Sequence, residues 1–525
     1  MASQTTMIDN DPTRDHTQDY LNGGFLPPAP KIRTSSTVTD QSIRAAYSQW
    51  QGRQGRFQFL WRYLMGYQRD PRGGDRDKAF VVSNLCEYVV KTIKGYMVGN
   101  RPMFKCAEGD SYGQAITEMF EEQNLWEVVS RVVQHLSTYG RAFVLTYLND
   151  DMEPRAVVID PRDGFVAYSG DIEQDSVFGL IRYTEYREDG SRYYRFYVYT
   201  QTELQLWHTE GEDNEQMVQD RIGAEEGGTE TGGRPHGFTR VPLIEFANND
   251  EYRSDFESII GLQDAYNMLQ GDRLDDKNAF AESILLIQGF LLGDDAEDVQ
   301  KKNKNLKKTR TLQMPDDGTA SYLTKTLDEA NVQILQNHLT KDIHKLAMVP
   351  DLSDEQFSGN ASGVAMAYKL FGTDQVVSEK NAQIQKGYTR LCKLYDEALN
   401  NASLSPDYEP RADISGMSIQ FVYNIVQDVS YMATAVTQLV QAGVMSKQTA
   451  MEALSLIDDP DEEMVRLAKD NEEARRNAQA MFEDDYQGLG KPSDADEDTD
   501  KDTDKDADED DERMRRRDEE TDEAE

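Results

Sequence analysis

Cysteine is scarce: there are three in 525 residues, Cys86, Cys106 and Cys392, with no CxxC and no Cys/His spacing. An odd, unpatterned set excludes a disulfide scaffold and a zinc array, and a reduced intracellular setting is the simplest expectation. Long hydrophobic runs are missing as well. No apolar stretch reaches the roughly 18 residues that suggest a membrane span; the greasiest piece, Ser283 to Leu292, is interrupted by Gln288 and Gly289. No basic-then-apolar leader pattern is present, so a protein with no membrane contact, made in a cytoplasm, is expected. Positive charge is short too, the net charge being −40. General nucleic-acid binders draw affinity from Lys and Arg that displace counterions. If this chain meets DNA, it meets it as a wall and not as glue.

Catalytic signatures are equally sparse. Neither HExxH nor GxSxG occurs. The stretch Gly488 to Pro492 puts proline where a phosphate loop needs Ser or Thr for magnesium. The six histidines are scattered, and His338 and His344 stand too far apart on one expected helix for a joint metal site. No cofactor, metal or enzymatic activity is expected.

What is present is unevenly distributed. Glu483 to Glu525 hold 22 acidic and 7 basic side chains, contributing −15, which leaves −25 for the other 482 residues. Asp stands at every even position from Asp494 to Asp510, but without the turn glycine and closing glutamate of a calcium loop. Residues 483–525 read as a disordered acidic tail, and residues 1–40, polar with a proline-rich piece, as a mobile arm.

Between these ends the pattern alternates between helical and extended. A helix is expected over about Gln41 to Gly66. The next has Ser83 as N-cap and Leu85, Tyr88, Val89, Ile93, Tyr96 and Met97 on one face, and Gly99, Asn100 and Pro102 stop it. A third, Asn124 to Tyr139, ends at Gly140. Period-two segments follow: Arg141–Leu148, Arg155–Asp160, Val177–Arg187, Arg192–Thr200 and Glu203–His208. Thr209 to Gly237, rich in Gly and Glu, reads as a flexible loop. From Ser254 to Gln288 the chain reads as one long helix, with Gly261 and Gly271 as candidate points of bending. A compact insertion, Gly289 to Thr326, contains a short strand at Arg310–Met314. A helix over Leu327 to Val349 is stopped by Pro350. Ser362 is expected to cap a helix reaching about Asn400. A strand at Ser418–Tyr423 and helices at Asp428–Ala442, after Ser446 and from Pro460 complete the order.

Several segments resemble the portal proteins of long-tailed bacteriophages. Asn84 to Pro102 is similar to the early helix of that family. Tyr139-Gly140-Arg141-Ala142, Ile159-Asp160-Pro161 and Leu180 to Tyr183 resemble its strands. Val241 to Phe246, leading into Ser254-Asp255, resembles the entry to its long helix, and Gly443 to Thr449 and Leu456 to Glu463 also fit. The order of these motifs over roughly Gln41 to Ala480 carries the resemblance. It implies an α+β, predominantly helical portal fold assembled as a ring, usually dodecameric. The implied parts are a wing at 41–253 and 363–427, stem helices at 254–288 and 327–349 and a clip at 289–326. A tunnel loop at 350–362 and a crown at 428–482 complete it.

The residues suit that design. Stem packing falls to Ile259, Leu262, Tyr266 and Leu269, against Val332, Leu335, Leu339, Ile343 and Leu346. Two such helices expose too much apolar surface in a lone chain, and a closed ring gives each a neighbour. Asp351, Asp354, Glu355, Gln356 and Asn360 suit a loop in a bore that DNA must slide past, because carboxylates cannot bind phosphates; an ordinary solvated loop is the bland alternative. Lys301, Lys302, Lys304, Lys307, Lys308 and Arg310 form a basic cluster suited to docking partners, or simply a solvated surface. The resemblance further implies dsDNA in the channel and placement at a capsid portal vertex. The implied partners are terminase, a head-completion or adaptor protein, and major capsid and scaffolding proteins. Competing readings are another oligomeric capsid or scaffold component, or a phage nuclease or ATPase subunit.

Overall fold

The computed structural model describes residues 31–70, 78–107, 109–209, 217–223, 225, 227–281, 284–288, 295–309, 318–323, 329–352, 363–400, 416–424, 429–453 and 463–476. The chain divides into two compact units, Met1–Val426 and Gln427–Glu525.

The first unit opens with β1 (Ile32–Thr34) and α1 (Asp40–Leu64). Thr39 caps α1 reciprocally: its hydroxyl accepts from the Ser42 N–H at 3.1 Å, and the Ser42 hydroxyl accepts from the Thr39 N–H at 2.8 Å. Then come α2 (Leu85–Val98), β2 (Met103–Lys105), α3 (Ser111–Glu122) and α4 (Leu125–Tyr139). Gly140 ends α4 with φ +80°, and a Cβ there would stand 2.1 Å from the Tyr252 carbonyl oxygen, so only glycine fits.

Nine strands follow: β3 (Arg141–Leu148), β4 (Pro154–Ile159), β5 (Gly164–Ser169), β6 (Ser176–Tyr186), β7 (Arg192–Tyr199), β8 (Glu203–Thr209), β9 (Met217–Asp220), β10 (Arg234–Pro235) and β11 (Leu243–Ala247). One sheet runs β1-β5-β6-β7-β8-β10, with β9 also on β8, and only the β1–β5 pair is parallel. A second, antiparallel sheet has the order β11-β3-β4.

After a short 3-10 turn at Glu257–Ile259 come α5 (Ile260–Ala281), β12 (Ile284–Gln288), α6 (Ala296–Thr309), β13 (Thr319–Leu323) and α7 (Glu329–Ala347). The 37-residue α8 (Gly363–Leu399) and β14 (Ser418–Gln420) close the unit, β14 pairing with β2.

Two cores hold this unit. One packs the C-terminal half of α1 with α2, α3, α4, the start of α5 and the C-terminal half of α8, around Phe120, Tyr388 and Tyr395. Gly387 lets α8 approach β11: a Cβ there would lie 2.3 Å from the Phe246 ring. The other core packs the N-terminal half of α1 on the large sheet, around Trp50, Phe165, Phe178 and Trp207. The Trp50 indole N–H donates to the Pro161 carbonyl at 3.2 Å. In the second unit, α9 (Val429–Gln441) ends near Gly443 at φ +68°, and α10 (Lys447–Ala453) is capped by Ser446, whose hydroxyl accepts from the Thr449 N–H. A further helix spans residues 463–476.

Several expectations need correcting. The arm at 1–40 reaches too far, because Ile32 is buried and β1 pairs with β5. Asn84, not Ser83, caps α2: Asn84 accepts from the Glu87 N–H, while the Ser83 backbone groups bond Asn267 and Gln263. The helix expected over 254–288 stops at Ala281. Its apolar end, Ile284 to Gln288, is β12, which pairs antiparallel with β13 across the insertion. The expected loop at 209–237 contains β9, which extends the large sheet. The strand at Arg310–Met314, the cap at Ser362 and the helix start at Pro460 lie outside the described residues. β5 and α3 were not expected.

Candidate functional site: a helix pair and its anchorage

α5 and α7 lie side by side, antiparallel. Gln336 Nε2 donates to the Tyr266 hydroxyl at 3.1 Å, Arg273 donates to the Gln336 side-chain oxygen, and Lys277 Nζ lies 3.6 Å from Glu329. At 1.5 Å per residue α5 is about 33 Å long, and its two ends sit in different surroundings.

The base is fastened by buried polar groups. Gln263 and Asn267 are fully buried. Gln263 donates to the Ser83 carbonyl at 2.6 Å and accepts from the Leu85 N–H at 3.0 Å; Asn267 accepts from the Ser83 N–H and donates to Gln68 at 2.6 Å. These two amides satisfy the start of α2, whose first N–H groups lack helical partners. Tyr63 donates to Asp264 at 2.7 Å, and burial, reinforced by that carboxylate, pushes the Tyr63 phenol up.

The segment leading into α5 holds two buried ion pairs. Arg56 and Glu257 are 2.6 Å apart with 2% and 3% of their side chains exposed; Arg56 also donates to the Tyr139 and Tyr252 carbonyls. Lys380, on α8, is fully buried and donates to Asp255 at 2.8 Å, to the Ser137 hydroxyl at 3.2 Å and to the Asn248 side-chain oxygen. Burial opposes ionisation of Asp255, but the Lys380 ammonium and the Asn248 and Ser137 donors hold its carboxyl below the usual range. Charges so enclosed persist only when paired and hydrogen-bonded. They join α1, α4 and α8 to the segment that leads into α5.

Beyond the base, apolar side chains of the pair face outward. Ile259 and Ile343 are buried; Leu262, Tyr266, Leu269, Val332 and Leu339 are half-buried; Leu335 and Leu346 are about half exposed. Met268, Leu274 and Ile334 are exposed as well. Of the nine residues expected to pack the stem, Leu335 and Leu346 are left with the largest exposed apolar surface in the single chain.

At the far end, α6 carries Lys301, Lys302, Lys304 and Lys308 exposed, with Lys302 paired to Asp298 at 2.8 Å. Lys307 lies on the same helix, and Arg310 lies outside the described residues. At the other end of α7, only the beginning of the expected tunnel loop is described; Asp354, Glu355, Gln356 and Asn360 lie outside. Asp351 stands 3.8 Å from His344 Nε2. Tyr88, on α2, donates to the Pro350 carbonyl at 2.8 Å, accepts from the Leu352 N–H at 3.0 Å, and packs edge-on against His344. The Tyr88 ring packs against the core, as its place on the apolar face of α2 leads one to expect, and its hydroxyl also pins the chain as it leaves α7.

Among the described residues no group of three or more His, Cys, Asp or Glu could hold a metal ion, and no helix is long and apolar enough to cross a membrane. The arrangement is a support: a firmly rooted helix pair carrying a charged tip. A family model for phage portal proteins, SPP1 Gp6-like, matches residues 47–477. The chain belongs to this family. It is a portal subunit, a structural component at the capsid vertex of a phage particle. The portal protein of Bacillus phage SPP1 is 21% identical over 385 residues, covering 71% of this chain and 73% of that one. Among solved structures, the neck of an empty GTA particle computed with C6 symmetry is similar with a TM-score of 0.42 and 11% identity, covering 74% of this chain and 94% of that one.

Proposed function

We propose that the portal subunit closes into a ring, a dodecamer, through which dsDNA enters and leaves the capsid. In this reading α5 and α7 are the stem, and the β12–β13 ribbon with α6 is the clip. Residues 350–362 form the tunnel loop, 41–253 and 363–427 the wing, and 428–482 the crown. The exposed lysines of α6 dock terminase and then a head-completion or adaptor protein. The outer surface meets capsid and scaffolding proteins during assembly in the host cytoplasm. The subunit itself has no catalytic residues, and the bore repels rather than grips the duplex, because the loop residues Asp351, Asp354 and Glu355 are multiplied by the symmetry.

The observation that carries this reading is the outward apolar face of the helix pair. A helix of a lone soluble chain turns its apolar stripe to its own core, whereas Leu335 and Leu346 stay about half exposed. Negative-stain electron microscopy of the purified chain tests the proposal. Rings with a central hole are expected, and single compact particles at high concentration would overturn it.

A further inference from the structure

The chain is strongly acidic, yet a recess in its first unit is lined with cations. Two adjoining hollows of about 580 and 400 Å³ share Lys31, Tyr168, Gln174, Glu245 and Arg390, and together form one open trough. One wall is α8, which presents Lys386, Arg390 and Lys393 at the i, i+4, i+7 spacing of a single helix face. The facing wall is the sheet edge at β1, which brings Lys31 and Arg33.

The floor is already balanced. Glu245 is buried and paired with Arg141 at 2.9 Å, and the buried Tyr168 hydroxyl bonds to it as well. Lys31 Nζ sits 4.3 Å from the centre of the Tyr168 ring. The five cations differ: none of Lys31, Arg33, Lys386, Arg390 and Lys393 forms an ion pair with a described residue. At their end of the trough the remaining carboxylate is Asp250, which already accepts from Gln383 at 2.8 Å. Burial lowers the affinity of Lys31 for its proton; Glu245 works the other way, and Arg390, Arg33 and Lys386 add to the lowering. Like charges are thus held together against their mutual repulsion, in a chain with a surplus of carboxylates to offer.

We propose that this trough is a docking site for an acidic segment of another polypeptide, laid along the α8 stripe with its carboxylates on Lys386, Arg390 and Lys393 and on Lys31 and Arg33. The dimensions favour a peptide. Cations three and four residues apart on a helix are about 4.5 and 6 Å apart along its axis, close to the roughly 6.6 Å between alternate side chains of an extended strand. Volumes of this size suit side chains rather than a duplex. The opposite end, where Glu173 and Asp175 join the lining, suits a neutral or basic continuation of the same segment. The inference does not depend on ring closure.

The test is fluorescence anisotropy of the full chain with a labelled decapeptide of alternating aspartate and serine, in low salt. An oligodeoxythymidine of equal charge and inorganic phosphate serve as competitors. Saturable binding is expected, weakened at least tenfold by Lys386→Glu with Arg390→Glu, and about threefold by Arg390→Gln alone. Lys91→Glu, at an exposed position of α2 outside the trough, is expected to leave it unchanged. The exchanged side chains are exposed, and an unaltered thermal melt of each variant confirms that the fold persists. Absence of binding overturns the proposal, as does binding lost with Lys91→Glu but kept in the double variant. Displacement of the peptide by the oligonucleotide or by phosphate at lower concentration than unlabelled peptide also overturns it, in favour of a phosphate site.

Discussion

Phe120 on α3 and Leu335 on α7 are large apolar side chains on helices of the same compact unit, but Phe120 is fully buried and Leu335 is 51% exposed. The contrast extends to their surroundings. Phe120 packs edge-on against Tyr395 and Tyr388 within a core drawn from seven helices. Leu335 belongs to a pair that touches the body firmly at its base and offers water an apolar face farther out. The body completes itself within one chain, while the helix pair presents a surface suited to completion by another.

The largest effect is expected at the root of the pair. Lys380→Met leaves the Asp255 carboxylate buried without its cation and is expected to cost about 3–5 kcal/mol in denaturant unfolding. Adding Asp255→Leu should recover much of that loss, since a matched apolar pair avoids the stranded charge. A loss under about 1 kcal/mol for Lys380→Met would mean that the root is not the fixed point described. Phe120→Ala in the body is expected to cost a similar 3–5 kcal/mol, with the assembly state followed in parallel to show that stability and association separate.

Acid sharpens the same contrast. Asp255 is held below the usual carboxyl range, burial being outweighed by Lys380; Asp160 is held below it too, burial there being outweighed by Arg162. A carboxyl with a depressed folded-state pKa contributes stability that is fully present above its unfolded value of about 3.9 and is lost as pH falls through the folded value. Thermal melts should therefore decline steeply below about pH 4, and Asp255→Asn should flatten that decline. An unchanged pH profile in the variant would remove Asp255 as a contributor. The smallest effect belongs to Lys277→Ala: both partners of its ion pair with Glu329 are solvent-exposed, and the stability change should stay within about 0.5 kcal/mol.

Legibility in the sequence followed the same division. α2 and α4 were readable because Val89, Ile93, Val132 and Leu136 recur at helical spacing and are buried where expected. β5 escaped because all six of its residues, Gly164 to Ser169, are buried, so it shows no alternation of polar and apolar side chains. β12 was read as helix because Ile284 to Ile287 continues an apolar run; what makes it a strand is β13, about thirty residues further on. The functional residues at the root were least legible. Lys380 meets Asp255 across 125 positions and Arg56 meets Glu257 across 201, and nothing local to any of them announces a partner. The stripe of α7 was visible as a pattern, but only the fold separates Ile343, turned inward, from Leu335 and Leu346, turned outward.

Sedimentation velocity over a hundredfold concentration range, comparing the wild-type chain with the Leu335→Asp, Leu346→Asp double variant, tests the proposed role of the outward face most directly. The wild type should sediment as one large closed species, and the variant as a monomer whose unfolding free energy lies within about 1 kcal/mol of the wild type measured under dissociating conditions. A wild-type chain that stays monomeric throughout, or a variant that still assembles fully, would contradict it.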